Sequence, residues 1–489
     1  MINNLKTPGV YINEISSLPP SIASVSTAIP AFIGYTERTI YKGKDLQYEP
    51  QKITSMVEYR QYFGGSQKEE DLNIEIIEQS SPRDITVRVG FKAPPAGKKS
   101  RHLMYYALQH YFANGGGPCY IVSVGTYTAF GSPIPSGSDT TGLEKGLKEI
   151  EKIDEVTLIL FPEAQGLTDA SAYYKLANLS LAQCGVLKDR FALIEVYHTN
   201  FDPALSSING DGVGTNPTGI RTGINSDQVK YGAVYYPNLE TNLTYDYKED
   251  IKISSHSLDG AAVPAANTLK GKTISEIENL NNEAYQKIKL ALTQLYVELP
   301  PGPSMAGIYA RVDRNRGVWK APANVGVQNV IKPVILLTDQ QHGELNVDSN
   351  SGKSINAIRS FSGKGTIVRG ARTLAGNDNE WRYVSVRRFF NMVEESTKNA
   401  TEQFLFESND ANTWVKVKSM IENYLTLQWR AGALQGATPE EAFYVKVGLG
   451  ETMTPIDILE GRLIVEIGMA AVRPAEFIIL SFVHKIVES

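Results

Sequence analysis

The sequence predicts an α+β protein of two folded parts, a larger α/β domain on a mostly parallel sheet and a smaller α+β domain, with an extended β-arm at each terminus. Three observations predict it. Short β-branched or aromatic runs alternate with helical patterns through the first part of the chain, the patterning changes near Asn346, and both ends read as extended segments set off by proline.

In chain order, "AFIGYTE" (31–37), "CYIVSVG" (119–125), "VTLILFPE" (156–163), "FALIEVY" (191–197) and "YGAVYYPN" (231–238) are short, apolar and bounded by Gly, Pro or charge, as buried strands are. Leu103, Met104, Ala107, Leu108, Tyr111 and Phe112 recur at helical spacing before "NGGGP", and Leu143, Leu147, Ile150 and Ile153 repeat the pattern. Strand, helix, strand in series is the pattern of a parallel sheet covered by helices. Segments 65–100, around the possible strands "NIEII" and "ITVRVGF", and 199–228, rich in Asn, Gly, Thr and Ser, read as surface insertions. A long helix is expected from about Ile274 to Val297, then a break at "LPPGPS" and a loop-rich stretch. After Asn346, "WRYVSVRRFFNMVEEST" and "ANTWVKVKSMIENYLTLQWRAGAL" read as helices of a second domain. The predicted boundaries are an N-terminal arm 1–22, an α/β domain 23–345 with insertions near 65–100 and 199–260, and an α+β domain 346–489.

With 489 residues, 42% apolar and 21% charged, the chain can bury ordinary cores and lacks the composition of a disordered or fibrous protein. A net charge of −5 leaves only local patches for nucleic acid or anionic lipid. Cys119 and Cys184 make no disulfide framework and lack the close His/Cys neighbours of a zinc site. The opening "MINNLKTPGVYINEISSLPP" has no basic segment leading into an apolar one, and no run approaches the ~20 apolar residues of a membrane span. The expectation is a protein made and folded in the cytoplasm.

At the end of the chain, Leu463, Val465, Ile467 and Met469 alternate with Arg462, Ile464, Glu466 and Gly468, which describes a strand with one dry face. In "AEFIILSFVHKI", Phe477, Ile479 and Val483 fall on one side and Ile478, Leu480, Phe482 and Ile486 on the other, so both faces need cover. Two arrangements fit: a hairpin turned at Arg473-Pro474 on its own domain, or a strand donated to the sheet edge of another subunit. Pro19-Pro20 and Pro474 set both arms off without feeding them into a helix.

No catalytic, cofactor-binding or metal-binding residues are nominated. There is no G-x-S-x-G, H-E-x-x-H or complete phosphate loop. "NSGKS" (350–354) has the tail of a phosphate loop with Val347 in the place of its first glycine, and "GDGVG" (210–214) sits in a polar insertion. The six histidines show no i, i+4 pair, and His342, among acids and amides, is the most noteworthy. Between Lys353 and Arg388 eight basic residues face two acidic ones, a stretch that suits nucleic acid, an acidic protein surface, or carboxylates of neighbouring subunits. An α/β enzyme using the sheet's C-terminal edge and a nucleic-acid binder using residues 353–388 are the alternatives at this point.

Taken as an ordered set, "TPGVYINEI", "STAIPAFIGYTE", "YFANGGGPCYIVSV", "PPGPSMAGIYARVDRNRGVWKAPAN", "GARTLAGNDNEWRYVSVRRFFNMVEES" and "IGMAAVRPAEFIILSF" resemble the sheath proteins of contractile phage tails and related injection systems. The resemblance implies a structural subunit that needs no cofactor, polymerises as hexameric rings stacked into a helical sheath, and contracts to drive an inner tube through a target membrane. It implies tube, baseplate and terminator or cap proteins as partners, with no direct nucleic-acid contact and no stable membrane insertion. Assembly would take place in the bacterial cytoplasm, as part of a phage tail or a particle that is released. The donated strands would include Val10, Tyr11, Ile12 and Ile15 at one end and Phe477, Ile478, Ile479, Leu480, Phe482 and Val483 at the other. The receiving strand would include Leu463, Val465 and Ile467. The α/β domain would be the outer one and the domain after Asn346 the inner one. Arg359, Arg382, Arg387, Arg388, Lys416 and Lys418 are the candidates for tube or neighbour contacts.

Overall fold

Six strands of the largest sheet run parallel, because each crossover between them carries a helix that returns the chain over one face. The computed structural model describes residues 21–92, 98–197, 212–213, 219–477 and 479. In it the sheet order is Gly365–Val368, Ile355–Phe361, Gly232–Tyr236, Phe191–Glu195, Leu158–Leu160, Pro30–Thr36, Cys119–Thr126 and Gln51–Ile53, with an antiparallel strand at each edge. Pro30–Thr36 is buried throughout and is paired on both sides, Ala31 with Tyr120 and with Ile159. Its alternate side chains feed two cores. Ala31, Ile33 and Tyr35 pack with the helices Gly142–Glu149 and Ala170–Leu187, and Phe32 packs with Met104–Ala113 and Gly302–Arg316. The five predicted central strands are all present.

Three expectations for this region are corrected. The stretch after "LPPGPS" is the helix Gly302–Arg316, not loop: Pro303 stands in its first turn, where no amide partner is lost. Gly307 lets it close on Met104–Ala113, since a Cβ there would lie 2.5 Å from the Tyr111 carbonyl oxygen. The long helix expected over 274–297 is two, Ile274–Leu280 and Asn282–Leu292, because the Asn281 side chain accepts from the Ala284 amide and starts a new helix. The two possible strands are present as Leu72–Ser80 and Arg83–Phe91 and pair as a hairpin, but they are no loose insertion. Ser255–Leu258 adds to them in parallel, and Leu72, Ile74 and Ile76 share a core with Ile253, Ile277 and Ile288. Segments some 180 residues apart thus make one small lobe.

By its contacts the chain divides into two units, one comprising residues 26–391 with the tail from Arg473, the other the segment up to Val25 with Met392–Val472. The division at Asn391 replaces the predicted boundary at Asn346. The reason is Ile355–Phe361, which continues the parallel sheet beside Gly232–Tyr236, with Val234 opposite Ile355. The smaller unit holds most of the helix Val384–Thr401, the helix Ala411–Arg430, started by the Asp410 side chain, and an antiparallel hairpin of Phe443–Lys446 with Glu466–Met469. Val417, Met420, Ile421, Tyr424 and Leu425 on one face of Ala411–Arg430 are buried there together with Val445. Ser24 and the Val25 amide bond Tyr424 and Ser396 of the same unit. Among the described residues no helix is long and apolar enough to cross a membrane.

Candidate assembly surface

The edge of a parallel sheet where open α/β folds take ligands is filled in this protein by its own carboxylates. Glu163, just beyond Leu158–Leu160, accepts from the Tyr35 amide (3.0 Å) and from the Met104 amide (3.3 Å) at the start of Met104–Ala113. His102 Nδ1 lies 3.3 Å from the same carboxylate, and its Nε2 accepts from the Thr128 amide at 3.0 Å, which leaves Nδ1 as the donor. At the end of Phe191–Glu195, the Glu195 carboxylate accepts from the Tyr173 hydroxyl (3.0 Å) and presses on the start of Gly302–Arg316, where a Cβ on Gly302 would sit 2.0 Å from it. Burial pushes Glu195 up to about 7. A cavity beside it, lined by Phe161, Tyr173 and Leu176, has room for about one water molecule. The N-termini of Met104–Ala113 and Gly302–Arg316 are therefore occupied from within.

The other sequence features that suggested chemistry have internal partners as well. The Lys353 ammonium of "NSGKS" donates to the carbonyls of Arg221 (2.7 Å) and Ile224, so it is no phosphate ligand. His342 Nε2 donates to the Arg369 carbonyl at 3.2 Å, and its Nδ1 faces Arg359. Both cysteines are buried and free, their thiols pushed up by burial, and no group of three or more His, Cys, Asp or Glu arranged for a metal occurs among the described residues.

The predicted basic patch is dismantled by packing. Arg387 is buried, its guanidinium 4.2 Å from the Trp381 ring centroid and 4.9 Å from that of Tyr231, with Nε donating to Asn391. Arg388 is buried against Asp313 and Tyr309. Both side chains are buried within the chain and so present almost no surface of their own to a tube or a neighbour. Arg359 pairs with Asp339, and Arg382 donates to the Gly376 carbonyl and Asn379, so both are largely spent within the chain. Lys416 is exposed and Lys418 partly so on Ala411–Arg430, and neither has an ion pair among the described residues.

What remains open is the surface of the smaller unit. Its hairpin has two strands only, so each has a backbone partner on one side and a free edge on the other among the described residues. The strand observed here is Glu466–Met469, which overlaps the expected Leu463–Ile467 only at its end, with Ile467 opposite Val445. Leu463, Val465, Ile467 and Met469 alternate with their neighbours as expected, yet each stays half-buried. Leu405, Phe406, Val415, Leu427, Leu449, Ile456 and Leu459 are all more than half exposed, whereas the described residues of 26–391, about four times as many, expose six large apolar side chains to that degree. Phe477 and Ile479 of the tail are exposed too. The remaining strand candidates, Val10, Tyr11, Ile12, Ile15, Ile478, Leu480, Phe482 and Val483, lie outside the described residues. Sequence patterning missed the exposed Leu405-Phe406 pair, which sits between two helices and carries no periodic signal.

In the larger unit carboxylates of the chain itself occupy the sheet edge, and in the smaller unit a hairpin with free edges and exposed apolar side chains make up the candidate site, a surface suited to other proteins. Comparison with known proteins names the class. The phage tail sheath C-terminal domain matches residues 376–485. The sheath of an extracellular contractile injection system, PVC, in its contracted state is 30% identical with a TM-score of 0.63, over 99% of this chain and 98% of that one. The contracted helical sheath of the anti-feeding prophage is 28% identical with a TM-score of 0.61, over 99% of this chain and all of that one. The tail sheath proteins of Vibrio phage KVP40 and Enterobacteria phage T4 are 25% and 28% identical over 38% and 29% of this chain, and the match spans only 26% and 21% of their own lengths. The chain belongs to the family of sheath proteins of contractile phage tails and contractile injection systems.

Proposed function

We propose that this chain is the sheath subunit of a contractile tail-like particle. Copies form six-membered rings stacked around an inner tube, each joined to its neighbours by terminal strands added to the hairpin Phe443–Lys446/Glu466–Met469 of another copy. Contraction of the stack drives the tube through a target membrane. The likeness over nearly the whole chain to a contracted sheath subunit is the observation that carries this reading. The free hairpin edges and half-buried strand face supply its physical basis: an added strand gains backbone hydrogen bonds worth about 0.5–1.5 kcal/mol each and covers apolar surface at about 25 cal/mol per Å².

Backbone pairing survives rigid-body rotation of the globular part, so such joints hold while subunit surfaces repack between two states. The energy is stored in assembly, and no nucleotide site is needed. A baseplate and a terminator or cap bound the stack; one similar chain belongs to the anti-feeding prophage baseplate, described as 6-fold symmetrised. Lys416, exposed, and Lys418, partly so, both without ion pairs among the described residues, are the candidates for a breakable contact with an acidic tube wall. The particle assembles in the bacterial cytoplasm and acts outside the cell; one relative is described as part of an extracellular contractile injection system. Negative-stain microscopy of the purified chain, alone or with its tube protein, tests the reading: hollow cylinders are expected, and a solution of lone globules at every concentration would overturn it.

A further inference from the structure

Two arginines of the basic stretch sit where the terminal arms leave the larger unit. Arg372 meets Glu476 with a forked pair of hydrogen bonds, Nε to Oε1 at 2.9 Å and Nη2 to Oε2 at 2.7 Å. Asn346 donates to Oε1 at 2.7 Å and the Tyr383 hydroxyl to Oε2 at 3.1 Å, so the carboxylate accepts from three separate elements. The guanidinium side chain is 5% exposed and the carboxylate 21%. One turn of chain earlier, Arg473 donates to the Asn379 carbonyl. At the other terminus Arg388 donates to the Thr27 carbonyl (2.7 Å) and pairs with Asp313, which also accepts from the Thr27 hydroxyl at 2.6 Å. The side chains of Arg388 and Asp313 are 3% and 7% exposed.

An ordinary surface ion pair contributes little and is loosely held. Here two buried guanidinium groups each grip one point of the chain, Thr27 just after the N-terminal arm and Glu476 just before the C-terminal one. We propose that Arg372 and Arg388 are positioning residues that clamp the roots of the two terminal arms to the sheet unit, so that pull on a joined arm is delivered to that unit at Glu476 and Thr27. This rests on the sheath reading above. Without the Glu476 clamp the last fixed point before the tail is Arg473, which donates to the Asn379 carbonyl, and residues 474–477 join the arm. A longer free arm is less pre-organised and has a lower effective concentration at its target edge.

The test uses the full chain with Glu476→Gln, and the exchange of Arg372→Glu with Glu476→Arg, measuring the concentration above which cylinders sediment and the unfolding midpoint of the subunit. Glu476→Gln is expected to raise the assembly threshold about tenfold, as loss of charge assistance in a forked pair implies, at an unchanged unfolding midpoint. The exchange is expected to recover assembly, and it keeps the pair testable should the single variant fold poorly. Assembly at the original threshold by Glu476→Gln would overturn the proposal. So would a rise matched by a fall in the unfolding midpoint, which would mark a merely structural pair. Absence of cylinders from the unaltered chain would instead overturn the sheath reading itself.

Discussion

Deleting residues 478–489 leaves a chain that folds and no longer forms cylinders. The cut falls beyond Glu476, so the Arg372 clamp and the sheet unit stay intact. What is lost is the strand that would join the next copy. About three to six backbone hydrogen bonds at ~1 kcal/mol each, with one or two buried large apolar side chains at ~1.5–3 kcal/mol each, come to about 5–10 kcal/mol per joint before the cost of ordering the arm. Every subunit in a ring loses a joint at once, so the expected result is monomers by sedimentation with an unaltered circular dichroism spectrum. Normal cylinders from the shortened chain would mean that the tail is no joint.

Arg190→Met lowers the stability of the larger unit by about 3–5 kcal/mol. The Arg190 side chain is fully buried; its Nε and Nη2 meet both Asp189 oxygens at 2.7 and 2.9 Å, and its Nη1 and Nη2 donate to the carbonyls of Ile150 (2.9 Å) and Ile153 (3.2 Å). It ties the turn after Gly142–Glu149 to the start of Phe191–Glu195. Methionine fills the volume but leaves Asp189, 9% exposed, without its cation and two carbonyls without donors. Arg190→Lys recovers less than half, because one ammonium cannot span three acceptor groups in a fixed plane. Urea unfolding of the full chain reads both; a loss under about 1 kcal/mol for Arg190→Met would show that water reaches the site.

Much of the fold was legible because the parallel strands are buried on both faces and so read as continuous apolar runs, as 31–37 and 191–197 do. The helix Ala170–Leu187 went unread because its buried residues spread beyond one stripe, with Ala170, Ala177, Ser180, Gln183 and Cys184 diluting the large apolar signal of Tyr173, Tyr174, Leu176 and Leu181. The unit boundary and the shared core of residues 72–91 and 251–292 depend on pairings between distant segments, which local patterning cannot supply. The basic stretch misled for a related reason. A run of charges in sequence says nothing of partners brought by the fold, and Asp313, Glu476 and Trp381 take up Arg388, Arg372 and Arg387 respectively. The hairpin edge could be anticipated from the alternation at 462–469, whereas its partner Phe443–Lys446 could not.

The claim on which the assembly rests is that the tail of one copy lies against the hairpin of another. It is tested most directly by cross-linking Ile467→Cys to Ile479→Cys in assembled cylinders, since Cys119 and Cys184 are buried and give no background. A ladder of covalent multimers on denaturing gels is the expected result. Cross-links confined to single chains would contradict it.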